Sequence, residues 1–433
     1  MASSPNPLSP AYVPPSLSWY CNAAHITPSV YTLPPQAENG QAKLVNLIYV
    51  QRHQKRTPDN LVPNNENVFN PPAGWDCRDI DFHSYATGKG VGAANVVEEF
   101  EIDSWNPFLA RIWNGTCDAG QLTAGGLKDS QAHGKDFWGI YGPAGKAHFL
   151  GPAPTEEQVY VRTSPEPRTM QVAGAWLDGA GYQDGRQFTV HVMPSEIDNI
   201  VPSYSCSYAD SLRSQIESEQ PWKEHLASKQ SLFDDVNAVL GTGQDGGWNS
   251  WIDHAFDFLS SRQCHDHPLP TNPANGKSIS QKTADDVYAE GNWEYNYIWN
   301  NATNADEYVK YQFGGFVQEL VRNLDSIRSG HAAPKLMAYF GHDGTMVRLF
   351  KTLAQAGNIL WPGLGSEVVF EVWQDKAGSK FMRILAYGKV LSSNAKGLTT
   401  KDGPADAAWT PLEDVIQYLE GRVPSDLFEK CSQ

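Results

Sequence analysis

At 433 residues, with 40% apolar and only 19% charged side chains, the chain holds enough apolar material for one large α/β domain with an insertion, or for two modest domains. Its formal charge of −16 argues against nucleic acid or an anionic membrane as the main partner, because both are polyanions. A small anionic substrate stays compatible, provided a few well-placed cations build a basic pocket inside the acidic shell.

The chain opens with a Ser/Pro-rich stretch, MASSPNPLSPAYVPPSLSWYC, which reads as an extended arm over 1–40 and lacks the apolar core of a secretion leader. Then LVNLIYVQRH, residues 44–53, is a short apolar run that ends abruptly in cations, as a buried parallel strand does where it opens onto a site. Residues 59–118 are rich in Asn, Pro, Gly and Trp and read as a loop-rich cap insertion. Order returns at GQLTAGGLKDSQAHGKDFWGIYG, where Leu127, Ala132 and Phe137 form a helical stripe behind Thr123 as N-cap. Val159-Tyr160-Val161 predicts a second buried strand, PRTMQVAGAWLDGAG a helix closed by glycine, and Gln187 to Met193 a third strand. Residues 205–330 read as a mainly helical cap domain. LMAYFGHDGT, residues 336–345, repeats the pattern of strand and then charge, and EVVFEVWQDKAGSKFMRILAYG predicts a hairpin. The expected class is therefore α/β: a mainly parallel central sheet flanked by helices, built from 41–58, 119–204 and 331–433, with an inserted, largely helical cap domain.

Six cysteines, Cys21, Cys77, Cys117, Cys206, Cys264 and Cys431, include no CxxC pair, which argues for up to three disulfides of undetermined pairing rather than a zinc cluster. With the sequons at Asn114 and Asn301 they predict a secreted glycoprotein whose leader precedes this numbering. No run reaches the roughly 20 apolar residues that a bilayer requires, so no membrane partner is expected. Cys264-His265-Asp266-His267 reads as a loop around a disulfide cysteine, since no second cluster completes a metal site. His83 and His133 find no partner in the sequence pattern, and neither metal nor cofactor is expected. Trp75, Trp105 and Trp113 fall in the first cap, where they could stack on an aryl or sugar phosphate.

The informative pattern is that three apolar strands each terminate in candidate phosphate ligands. The first gives Arg52, His53 and Arg56, the second Arg162 with Arg168 in the following helix, and the third His342 and Asp343. Parallel strands bring their carboxyl ends to one edge, so residues far apart in sequence converge there. A phosphate dianion needs several donors in fixed directions, which arginine's planar fork supplies.

RHQKRTP resembles the RHGxRxP signature of the histidine acid phosphatases, branch 2 of the histidine phosphatase superfamily, which includes prostatic-type phosphatases and phytases. GHDGT resembles that family's second signature, RTSPEPRT its arginine-bearing strand-to-helix segment, and GQLTAGG its preceding helix. The resemblance implies a metal-independent phosphomonoesterase in which His53 is the nucleophile and Asp343 the proton donor. It further implies that Arg52, Arg56, Arg162 and His342 bind the phosphate, the substrate being a small organic monoester. Gln54 departs from the family's usual glycine directly after the nucleophile. Two other readings share the fold: an impaired phosphate-ester-binding protein, and a phosphotransferase with an acceptor other than water. Substrate identity and oligomeric state are not legible in the sequence.

Overall fold

The cation-tipped run becomes β1 (Ala42–Arg52), which is buried at every residue from Asn46 to its end, as a central strand requires. In the computed structural model, residues 15–432 are described apart from 70, 72–73, 89–90, 102, 153, 183–186, 332 and 402, so the first part of the expected arm lies outside the described residues. The chain divides into two compact units. One comprises residues up to Cys21 with Lys55–Gly125 and Leu226–Gly291, and the other Asn22–Gln54, Gly126–His225 and Asn292–Gln433.

The second unit holds the sheet. After β1 come β2 (Val159–Thr163), β3 (Val190–Val192), β4 (Leu336–Gly341), β5 (Glu367–Asp375) and β6 (Lys380–Ala386). Their spatial order is β6-β5-β1-β4-β2-β3. The run β1-β4-β2-β3 is parallel throughout, and the β5–β6 hairpin joins antiparallel along β1. This is the expected α/β class. The third predicted strand is shorter than the alternation over 187–193 suggested, because β3 is an edge strand with two of its three residues exposed.

Helices α1 (Ala124–Tyr141) and α2 (Pro167–Gly179) follow the predicted spans, and Pro167 stands at the first turn, where its missing N–H costs nothing. Phe137 of α1, Trp176 of α2 and Tyr49 of β1 form an aromatic core, with ring centroids 4.7–5.4 Å apart. Truncating Phe137 or Trp176 to Ala would cost about 3–5 kcal/mol. A third helix, α3 (Asp343–Thr352), leaves the end of β4. The helical block over 205–330 supplies helices to both units, among them Asp253–Cys264 in the first and Ala305–Ser329 in the second.

All six cysteines pair, as Cys21–Cys264 and Cys77–Cys117 in the first unit and Cys206–Cys431 in the second. Each bridge contributes about 2–4 kcal/mol by restricting the unfolded chain. Trp75 and Trp113 pack with the Cys77–Cys117 bridge, 2% and 0% exposed, so the stacking role expected for them is corrected; Trp105 alone of the three faces solvent, at 76%. Among the described residues no helix is long and apolar enough to cross a membrane.

Candidate active site

The parallel register decides what reaches the carboxyl edge of the second unit's sheet. Arg52 lies opposite Gly341, and the Ser164 N–H extends the ladder to Phe340 O at 3.2 Å, so the ends of β1, β4 and β2 share one rim. His53 continues β1 by donating its backbone N–H to Gly341 O at 2.9 Å. Its ring, 2% exposed, stands edge-on to that of His342 with centroids 5.3 Å apart.

One hydrogen bond fixes the chemistry of His53. Nδ1 sits 2.9 Å from Gln54 O, and a carbonyl oxygen only accepts, so Nδ1 carries the proton and donates. In the neutral ring the lone pair is then on Nε2, the form a nucleophile requires.

The GHDGT segment folds as a strand-to-helix elbow. A Cβ on Gly341 would stand 2.5 Å from Thr345 Oγ1 and 2.6 Å from Ile200 Cγ2, which explains glycine there. His342 is the N-cap of α3: its ring accepts the Thr345 N–H, while its backbone N–H donates to Thr345 Oγ1 at 3.0 Å. Its Nε2 meets Ser164 Oγ at 2.8 Å, so the neutral ring is the Nε2–H tautomer. Asp343 opens α3, where the helix dipole favours a negative charge. Its Oδ1 accepts the Gly344 N–H at 2.7 Å, and its Oδ2 faces Arg52 Nη2 and Trp361 Nε1, each at 3.0 Å. Arg52, fully buried, also donates to Pro362 O.

Arg162 requires a correction. It lies opposite Tyr339, two residues short of the rim and roughly 6.6 Å back along the strand. Its guanidinium, 1% exposed, is bound by Glu319, by Asp198 at 3.2 Å and by Asn199 at 2.5 Å. Burial penalises its charge, but Glu319 and Asp198 more than restore it, so its pKa stands raised. These partners occupy the fork that was expected to clamp a phosphate. Arg168, six residues on, lies in the first turn of α2 with Nη1 3.5 Å from Glu166 Oε2. That turn is tied to His342, since Ser164 Oγ bonds both His342 Nε2 and Thr169 Oγ1. Arg56 belongs to the first unit, where Asp257 and Asp59 hold it at 2.9 and 3.0 Å.

The sequence pattern missed Ser164 and Trp361. Ser164 was discoverable as the residue after a strand end, but nothing in sequence links Trp361 to a carboxylate 18 positions away. Gln54 meets a complementary glycine. Its side chain is fully buried against Gly365, where a Cβ would lie 2.1 Å from Gln54 Nε2. Gly365 has φ +73° and donates its N–H to His53 O at 3.1 Å, so the wall that accepts Gln54 also braces the His53 backbone.

Known acid phosphatases resemble this chain in sequence, and a known phytase in fold. Lysosomal acid phosphatase of Bos taurus is 23% identical over 65% of this chain, the match spanning 66% of that protein. Prostatic acid phosphatase of Rattus norvegicus is 23% identical over 72% of this chain and 80% of its own length. Among solved structures, the phytase from Citrobacter braakii superposes with a TM-score of 0.58 at 15% identity, over 89% of this chain and 99% of that one, a likeness of fold. A profile of the histidine phosphatase superfamily, branch 2, matches residues 43–386, and the chain belongs to that family.

Proposed function

We propose that the protein is an acid phosphatase that hydrolyses small organic phosphate monoesters through a phosphohistidine on His53. The observation that carries this reading is the Nδ1 bond to Gln54 O, which leaves Nε2 as the nucleophilic nitrogen. In the first step the Nε2–P bond forms as the ester P–O bond breaks, and Asp343 gives its proton to the leaving oxygen. Water then attacks phosphorus, the N–P bond breaks, Asp343 takes the water's proton, and inorganic phosphate leaves. Arg52 and His342 offset the charge on the phosphoryl oxygens, and Arg168 takes the clamp role that Arg162 cannot fill. The Nε2–H tautomer of His342 supports a donor role. A chemistry of this kind runs on cationic side chains and needs no metal.

Asp343 must be protonated to donate, and three donors address its carboxylate, so turnover should favour acid and fall toward neutral pH. The three disulfides and the exposed Asn114 and Asn301 support secretion and glycosylation. The acidic chain, with no dense Lys/Arg run in either cap block, favours a small monoester over a multiply phosphorylated ring.

The test is p-nitrophenyl phosphate hydrolysis from acid to neutral pH in the presence of chelator, with alkali-quench trapping of 32P-labelled enzyme. Wild type should turn over and yield an acid-labile, base-stable phosphoenzyme, while His53→Ala should lose at least about 10³-fold in rate and all label. A folded wild type that binds phosphate without turnover would instead make it a binding protein. Label passed mainly to an added alcohol would make it a transferase.

A further inference from the structure

The first unit carries a cluster for which the phosphatase reading has no use. A short hairpin pairs Phe82–Tyr85 with Ala94–Val97 and sets His83 opposite Val96. Seven of its eight residues are exposed, with Phe82 at 66% and Tyr85 at 60%, so no apolar core holds the two strands. A two-stranded hairpin without such support is marginal in water.

The polar groups at its base converge. His83 Nε2 lies 3.2 Å from Asp81 Oδ1 and 3.2 Å from Glu98 Oε2, and all three donor atoms fall within 4.8 Å of one another. The Glu98 N–H donates to Asp81 O at 2.9 Å, which fixes the two acids side by side. A simple ion pair would aim a ring N–H at one carboxylate. Here Nε2 is buried, yet it meets hydrogen-bond geometry with neither. A buried nitrogen placed between two carboxylates without bonding either is the arrangement of donors around an ion. Bonds of about 2.0–2.1 Å in a tetrahedral site separate its donors by roughly 3.3 Å, close to the spacing of the ring nitrogen from both oxygens.

We infer that Asp81, His83 and Glu98 form a structural site for a divalent transition-metal ion of the zinc type, which closes the base of the hairpin. One imidazole and two carboxylates suit zinc, with water in the remaining position, whereas magnesium and calcium favour all-oxygen sets. The ion substitutes for the missing core by joining the residue before one strand, a residue within it and the residue after the other. The site is independent of the chemistry at His53.

The test uses the full chain, stripped with EDTA and titrated with Zn²⁺ by calorimetry at neutral pH. Wild type should take up one equivalent that Mg²⁺ does not replace, and His83→Ala and Glu98→Gln should each weaken it at least about tenfold. Chymotrypsin should cut at Phe82 and Tyr85 more slowly in the Zn²⁺-loaded wild type than in the stripped protein, with no such difference in either variant. Phosphate-ester turnover should be unchanged by both substitutions. No uptake by wild type, or equal uptake by both variants, would overturn the assignment. Glu98, 54% exposed at its side chain, keeps the test valid if His83→Ala disturbs the fold.

Discussion

Two buried charge clusters in the second unit share ingredients and differ in direction. Around Glu371, every oxygen is enclosed: Oε1 accepts from the Tyr31 and Tyr141 hydroxyls at 2.7 Å, and Oε2 from Trp373 Nε1 at 3.0 Å and Arg383 at 3.4 Å. Glu371 is 0% exposed, and the donors around it leave neither oxygen open, Arg383 also donating to Thr32 O at 2.8 Å. At the sheet rim Asp343 also faces an arginine and an indole, but its side chain keeps 24% of its surface, and beside it His53 is held through Nδ1 with the lone pair on Nε2. Pairing alone therefore does not mark a reactive group. What distinguishes the rim is that one atom of each residue is anchored while another is aimed. Arg162 belongs with Glu371 by this measure.

That contrast is broken most sharply by exchanging the two arginines' expected effects. Arg162→Met strands Glu319 and Asp198 in the interior, and should lower unfolding free energy by about 3–5 kcal/mol in urea titrations. Arg168→Ala should leave the urea midpoint unchanged and lower kcat/KM for p-nitrophenyl phosphate by about 10²–10³-fold. The reverse pair of results would return Arg162 to the clamp and make Arg168 an ordinary helix-end charge.

The same contrast explains what was legible in sequence. Apolar runs that end in charge gave β1, β2 and β4, and the class of fold with them, because buried parallel strands cannot hide their composition. Residues that local geometry demands, such as Gly341 at the elbow and His342 as N-cap, were visible as a motif. The enclosure of Arg162 was not, since it turns on Glu319 and Asp198, which the fold alone brings to it. Trp361 and Gly365 were invisible for the same reason: their roles come from a loop that precedes β5 and touches the rim only after folding.

A smaller effect sharpens the enclosed side. Glu367, beside Glu371's network on β5, is fully buried, and burial pushes its carboxyl up to about 7 despite bonds from the Ile26 N–H and the Tyr49 hydroxyl, each at 2.6 Å. Because folding raises this carboxyl, its contribution is full below the unfolded value of 4.5 and is lost as pH climbs through about 7. The loss amounts to about 3 kcal/mol. Glu66 in the first unit, also pushed up to about 7 by burial, adds a second loss of the same sign. Burial acts the other way on His265 and His267, lowered to about 4, and on His133, so the carboxyl is isolated by difference: between pH 4.5 and 7 the urea midpoint of Glu367→Gln should rise relative to that of wild type. An unchanged slope would mean that Glu367 titrates no differently in the folded chain.

The smallest effect lies where the two kinds of region meet, at Gln54 and Gly365. Gly365→Ala forces a Cβ to 2.1 Å from the Gln54 amide and strains a backbone at φ +73°. Overpacking and strain together should cost about 1–3 kcal/mol. Because Gly365 braces His53 O, the substitution should also lower kcat by about tenfold while KM moves little. Gln54→Gly alone keeps the backbone carbonyl that holds His53 Nδ1, so its activity should stay within about threefold of wild type. Combined with Gly365→Ala it removes the overlap but not the positive φ, and should restore most of the lost turnover and only part of the lost stability. Additive effects in the double variant would show that the two residues merely adjoin. Recovery of rate would show that a glutamine in the family's glycine position is tolerated because a second glycine, over 300 residues away, accommodates it.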